Sequence, residues 1–315
     1  MNSEPLNLIN GKIITLNESC PIIETLTIKN GKIYSLNTQN PSFKTINLKG
    51  ATIIPGFIDA HFHITNLGKR LEMINLKNIT SSEKIVELIY EKSQTLKDGE
   101  WIQGFGWDQN LWTNPDFPQY DILNSAVANN PIFLTRIDGH CAWVNDYALK
   151  LANIDISTKI DGGAIINQCV LVDNAMDLLR EFLPSESKEM IKSWILKASK
   201  YAIKRGITNV HDAWQSPEII ESIIELVEEK KLPLKCYGMI GASFKDYIKT
   251  FSKQGHLSGS HYKIRSVKAF IDGALGSRGA ALHEPYCDDS CNCGLILISK
   301  EEFDDLAALC YNYNF

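Results

Sequence analysis

Two histidines one residue apart, His61 and His63, close the run Ile53-Ile54-Pro55-Gly56-Phe57-Ile58-Asp59-Ala60-His61-Phe62-His63-Ile64. Pro55-Gly56 breaks the incoming chain, and the apolar residues after it read as one buried strand. Side chains alternate faces along a strand. Asp59, His61 and His63 therefore share one face, and Ile58, Ala60, Phe62 and Ile64 the other. Two imidazoles at this spacing can grip one cation, and a borderline ion such as zinc suits nitrogen donors. The plainer reading is a strand with two partly buried, hydrogen-bonded histidines. Lys268 is the second chemical candidate. It lies inside an apolar strand, on the face of Phe270 and Asp272. Desolvation there favours the neutral amine. A neutral amine takes up carbon dioxide to become a carbamate, an anionic oxygen ligand that bridges two metals. The plainer reading is a lysine paired with a carboxylate or snorkelling to the rim of its sheet.

For these side chains to meet, strands must deliver them to one end of a sheet. Ile207-Thr208-Asn209-Val210-His211-Asp212, the run 234–240 and the run through Lys268 have strand character. They alternate with helical repeats such as Ile219, Ile220, Ile223, Ile224 and Val227, which implies βα units and parallel pairing. Ser216-Pro217 reads as an N-cap with proline at the first helical position. Thr80 with Glu83, and Ser299 with Glu302, have capping-box spacing. Nearer the N-terminus, Asn10-Gly11 and Asn30-Gly31 sit between short apolar runs and predict two hairpins, because both turn positions need positive φ. Pro184-Ser185 is read as the start of a long helix, and 162–166 as a short strand. Residues 65–185 are expected to be an insertion between the first two strands of the βα series.

Three strings carry a family resemblance: Pro55-Gly56-Phe57-Ile58-Asp59-Ala60-His61-Phe62-His63; Val267-Lys268-x-Phe270-x-Asp272-Gly273-x-x-Gly276-x-Arg278; and Asp138-Gly139-His140-x-x-Trp143-Val144-Asn145. In them, and almost from end to end, the chain resembles the amidohydrolase superfamily, in the branch called amidohydrolase family 3. The resemblance implies an α/β fold, a (β/α)8 TIM-type barrel. Here it would be incomplete, reaching about strand four, with an N-terminal small β-sandwich part over 1–54 and the partial barrel over 55–315. His61, His63 and Lys268 would be the metal ligands, with Lys268 as the bridging carbamate. Two zinc ions are implied, with iron, manganese or cobalt as alternatives. They would acidify a bridging water and polarise a carbonyl, for hydrolysis of a non-peptide C–N bond in a small amide. The family's strand-eight aspartate and its two later histidines have no counterpart before Phe315. A full barrel takes ~250 residues. The chain is therefore expected to be a C-terminally truncated piece, or one half completed by another chain.

The same strings suggest substrate contacts. His140 faces the substrate, or is a loop histidine packed under Trp143. Trp107 and Asp108 line the pocket, or form the insertion's core. Asp272 belongs to the lysine string. Arg278 clamps an anionic group, or makes a rim salt bridge. Of the adjacent pair His211 and Asp212, at most one faces the barrel interior, and His211 is the candidate weighed for the site. Cys287, Cys291 and Cys293 have a spacing unlike a zinc knuckle and read as loop thiols. His256, His261 and His283 read as surface or structural. Two rivals remain: a mononuclear deaminase-type relative, which Lys268 argues against, and an inactive, unstable remnant or a binding module; little hydrolysis and little bound metal are expected of the 315-residue product itself.

The composition sets outer bounds. The chain has 315 residues, 44% hydrophobic and 22% charged, which suits a globular protein of one large or two smaller domains. A net charge of −5 without a basic block argues against nucleic acid as a partner. No apolar run nears the ~20 residues of a membrane span. Residues 1–10 lack the pattern of a signal peptide. Eight scattered cysteines fit reduced thiols in a cytoplasm. A small-molecule amide is the expected partner.

Overall fold

The computed structural model describes residues 4–155, 157–160, 162–253, 261–273, 275 and 278–315. The chain divides into two compact units, residues 1–59 with 204–209, and residues 60–203 with 210–315. His256 and Gly276 lie outside the described residues.

The first unit holds strands β1 (Leu6–Ile9), β2 (Lys12–Ile14), β3 (Ile22–Ile23), β4 (Leu26–Lys29), β5 (Lys32–Leu36), β6 (Lys44–Asn47) and β7 (Thr52–Ile53). They form two sheets, ordered β5-β4-β1-β6 and β3-β2-β7. Ile13, Ile23 and Leu26, with Leu8, Ile28 and Leu36 against them, make one small core fed by both sheets. Asn30 and Gly31, at φ 53° and 71°, turn the antiparallel pair β4–β5 as expected. Asn10-Gly11 does not make a hairpin. Strand β1 pairs with β4 and β6, whereas β2 pairs with β3 and β7. That turn passes the chain from one sheet to the other. Its glycine serves close packing, since a Cβ on Gly11 would lie 3.1 Å from Leu48 Cβ and 3.0 Å from the Ala51 carbonyl oxygen.

The larger unit begins within β8 (Phe57–Phe62), and α1 (Ile64–Arg70) follows directly. Next come β9 (Ile74–Asn75), α2 (Ser82–Ser93), β10 (Ile102–Trp107), α3 (Tyr120–Ala126), β11 (Ile132–Arg136), β12 (Cys141–Val144), α4 (Asp146–Leu151), β13 (Gly163–Ile166), β14 (Val170–Asp173) and α5 (Asn174–Arg180). Strands β9 to β14 form their own six-stranded sheet, ordered β13-β14-β12-β11-β10-β9. Its core gathers Trp107, Trp112, Trp143, Leu123 and Leu134. The cap of α2 is Ser81, one residue beyond Thr80; its hydroxyl accepts from Lys84 N–H at 3.2 Å.

Helix α6 (Lys188–Ile203) starts a few residues later than Pro184-Ser185 and buries Ile191, Trp194, Ile195 and Ala198. Then follow β15 (Ile207–Gln215), α7 (Pro217–Glu228), β16 (Lys235–Gly241), α8 (Lys245–Lys253), β17 (Tyr262–Lys268) and α9 (Lys300–Asn312). The strands β8, β15, β16 and β17 lie side by side in chain order, and β16–β17 is parallel. Ser216 caps α7, and Ser299 with Glu302 forms the expected capping box of α9. Strand β8 is an edge of this sheet, so it is not the buried strand its apolar residues suggested: Phe57 is 55% and Ile58 58% exposed. No helix among the described residues is long and apolar enough to cross a membrane.

Candidate metal centre

His61 lies near the end of β8, and His63 lies just past that strand, at the N-cap of α1; their ring centroids are 5.3 Å apart, edge to face. His61 is exposed and His63 half-buried. Partial burial lowers the His63 pKa, and the nearby His61 and Lys268 lower it further, against a raising contribution from the Ala213 backbone carbonyl, to which the ring donates. The charge of Lys268 is the smallest of these contributions. Lys268 closes β17 and is half-buried, less enclosed than its apolar neighbours implied. The strand stops there, so the alternation does not extend to Phe270 and Asp272. Even so, Lys268 Nζ stands 5.2 Å from the Phe270 ring centroid.

Beside the histidines lies a buried carboxylate that the sequence reading passed over in favour of its neighbour His211. Asp212 is 2% exposed. Its Oδ1 accepts from the Ile64 backbone N–H at 2.7 Å, and its Oδ2 from Gln215 Nε2 at 2.6 Å. Burial pushes its pKa up to about 6, with those two hydrogen bonds acting in the opposite direction. The signal available was parity: Val210 and Asp212 share one face of β15, and Val210 is core. His211 points instead to Tyr237, ring centroids 5.2 Å apart.

A cleft of about 630 Å³ opens next to His63, bounded by Asn66, Lys69, Asp212, Trp214 and Phe270 among others. A second, of about 530 Å³, is bounded by both His61 and His63. Trp214 has φ 76°, a region bulky side chains occupy only under constraint. Gly241 makes room for it, because a Cβ there would sit 2.7 Å from the Trp214 ring.

Trp107, Asp108, His140, Asp272 and Arg278 line neither cleft. Trp107 is fully buried and its Nε1 donates to the Leu134 carbonyl at 2.6 Å, so it is core of the six-stranded sheet, not pocket wall. Asp108 caps the short helical turn Gln109–Leu111. His140 is exposed and pairs through Nδ1 with Asp173 Oδ1 at 2.8 Å; it is not packed under the buried Trp143. Asp272 accepts from Ala281 N–H at 3.0 Å, tying down its own loop. Arg278 pairs with Asp288 at 2.9 Å, both side chains exposed. Cys287, Cys291 and Cys293 are exposed free thiols.

Among the described residues, no group of three or more His, Cys, Asp and Glu side chains is placed to hold a metal ion. The donors that stand together are the two imidazoles of His61 and His63, whereas Lys268, at the end of β17, lines neither cleft. Nitrogen donors of this kind fit a borderline divalent ion as part of a ligand set.

Residues 44–315 match the model of a family described as the amidohydrolase family. YtcJ of Bacillus subtilis (strain 168), assigned as an amidohydrolase, is 31% identical over 252 residues, covering 76% of this chain and 47% of YtcJ. The N-substituted formamide deformylase of Arthrobacter pascens is 23% identical over 278 residues, covering 82% of this chain and 51% of that protein. The chain thus spans about half the length of these curated relatives. The crystal structure of an uncharacterised metal-dependent hydrolase from Pyrococcus furiosus superposes with a TM-score of 0.80 at 25% identity, over 99% of this chain and 66% of that one.

Proposed function

The chain belongs to the amidohydrolase family, and from that premise we propose that it supplies metal ligands to a metal-dependent hydrolase of a non-peptide C–N bond in a small amide. The carrying observation is the His61–His63 pair, 5.3 Å between ring centroids, at the edge of two clefts. His61 and His63 would hold a divalent metal through ring nitrogens. Lys268 would join as a carbamate: the neutral amine adds to carbon dioxide, an N–C bond forms, and the amine proton leaves to solvent. An anionic oxygen ligand of that kind supports a two-ion site, with zinc first and iron, manganese or cobalt as alternatives. Bound divalent ions supply an acidified water and a Lewis acid for the carbonyl.

The cleft beside His63 has the size of a small-molecule site, with apolar walls at Trp214 and Phe270 and polar groups at Asn66 and Lys69. The name of the Arthrobacter enzyme supports an N-substituted amide as substrate class. The test is turnover of N-substituted formamides and acetamides by the complete protein, before chelation, after it, and after zinc is returned. Activity lost on chelation, restored by zinc and lost in His61→Ala is the expected result. Turnover that survives exhaustive chelation, or a wild type that binds no zinc, overturns the reading.

A further inference from the structure

The chain turns from β8 into α1 at His63, and β15 ties that junction down. The Ile64 backbone N–H donates to Asp212 Oδ1 at 2.7 Å. The next residue of β15, Ala213, offers its carbonyl to the His63 ring. The other Asp212 oxygen accepts from Gln215 Nε2 at 2.6 Å. Gln215 Oε1 accepts in turn from the Tyr262 hydroxyl at 2.6 Å. Asp212, Gln215 and Tyr262 are all buried. Any displacement along such a run strands a buried polar group, so the run holds one geometry. It starts at the main chain beside one candidate ligand and ends on β17, the strand that carries Lys268. Gly238 on β16 leaves it room, since a Cβ there would lie 2.9 Å from Gln215 Cδ and 3.0 Å from the Tyr262 hydroxyl.

From this arrangement we infer that Asp212 is a positioning residue for the metal centre. It fixes the main chain at Ile64, so that the His63 ring, with one nitrogen bonded to Ala213, offers the other to a divalent cation in a single tautomer. The inference rests on the reading of His61 and His63 as metal ligands. Outer partners of ligating histidines set ring orientation and tautomer, and their loss typically costs ~10–100-fold in metal affinity.

The experiment is a zinc competition titration on the purified protein, joined to ¹⁵N NMR of the His63 ring without metal. Asp212→Asn keeps an oxygen for Ile64 N–H, and its amide donates to Gln215 once that side chain turns over. Asp212→Leu is similar in size but accepts nothing. His61→Ala reports on the metal reading itself. Asp212→Asn is expected within about threefold of wild-type affinity, and Asp212→Leu ~10–100-fold weaker with mixed His63 tautomers. A folded Asp212→Leu that holds zinc within about twofold of wild type, while His61→Ala loses it, overturns the role of Asp212 and leaves the metal reading standing. A wild type that binds no zinc overturns both. If Asp212→Leu does not fold, the wild type decides: one His63 tautomer and a slowly exchanging Ile64 amide are expected, and mixed tautomers or a fast amide overturn the proposal.

Discussion

Replacing Gly68 by alanine sets two effects of opposite sign against each other. Gly68 lies in α1, the helix that starts one residue after His63, and it is buried. Alanine for glycine in an exposed helix interior stabilises by ~1 kcal/mol. Here a Cβ would lie 2.5 Å from Trp194 Cα and nearer still to the Trp194 carbonyl. Those are main-chain atoms of α6, so no rotamer change relieves the clash, and one helix must move. Overpacking of this kind costs ~1–3 kcal/mol, and a rigid backbone neighbour puts it at the upper end. Moving α6 also strains the bonds that Trp194 Nε1 and Lys197 Nζ make to Glu72 at 2.7 and 2.9 Å, each worth ~1 kcal/mol. The clash outweighs propensity, and a net loss of about 2 kcal/mol is expected. Urea unfolding followed by circular dichroism measures it, with zinc affinity recorded alongside because α1 begins at the site. A Gly68→Ala protein as stable as wild type, or more stable, would show that helix propensity governs this position and refute the packing argument.

Three further outcomes follow from the same packing. Trp107→Ala empties the core of the six-stranded sheet and should lower unfolding free energy by ~3–5 kcal/mol; a loss below ~1 kcal/mol would return Trp107 to the pocket wall. Gly238→Ala pushes a methyl into the Gln215–Tyr262 contact and should cost ~1–3 kcal/mol in urea unfolding and weaken zinc binding; no change in either contradicts the buried run. Glu72 is raised by burial, but bonds from Lys197, Trp194 and Ser193 prevail and hold it below the ordinary 4.5. A depressed folded pKa means stability present above the unfolded value and lost as pH falls through the folded one. Glu72→Gln should therefore be less stable than wild type near neutrality, with the gap closing below about pH 4; a gap constant from neutral to acid pH rules this out.

The His-x-His pair was legible because its donors lie two residues apart and that spacing needs no tertiary knowledge, although the strand stops at Phe62, just before His63. The exposure of β8 was not, because apolar residues suit a buried strand and a sheet edge alike. Asn10-Gly11 and Asn30-Gly31 are the same dipeptide with different uses, and only the strand partners tell them apart. Asp212 was missed because its carboxylate is satisfied by a backbone N–H 148 residues away in sequence. His140 drew notice by its string, yet its partner Asp173 ends β14, where the backbone at φ 49°, ψ −121° holds a conformation no sequence pattern announces.

X-ray absorption at the zinc edge of the zinc-loaded protein tests the histidine site most directly. A nitrogen or oxygen shell at ~2.0–2.1 Å with outer scattering from two imidazole rings is predicted, one ring vanishing in His63→Ala. A sulfur shell at ~2.3 Å would put the ion on the loop of Cys287, Cys291 and Cys293 and contradict the assignment, as would a spectrum indifferent to loss of His61 and His63.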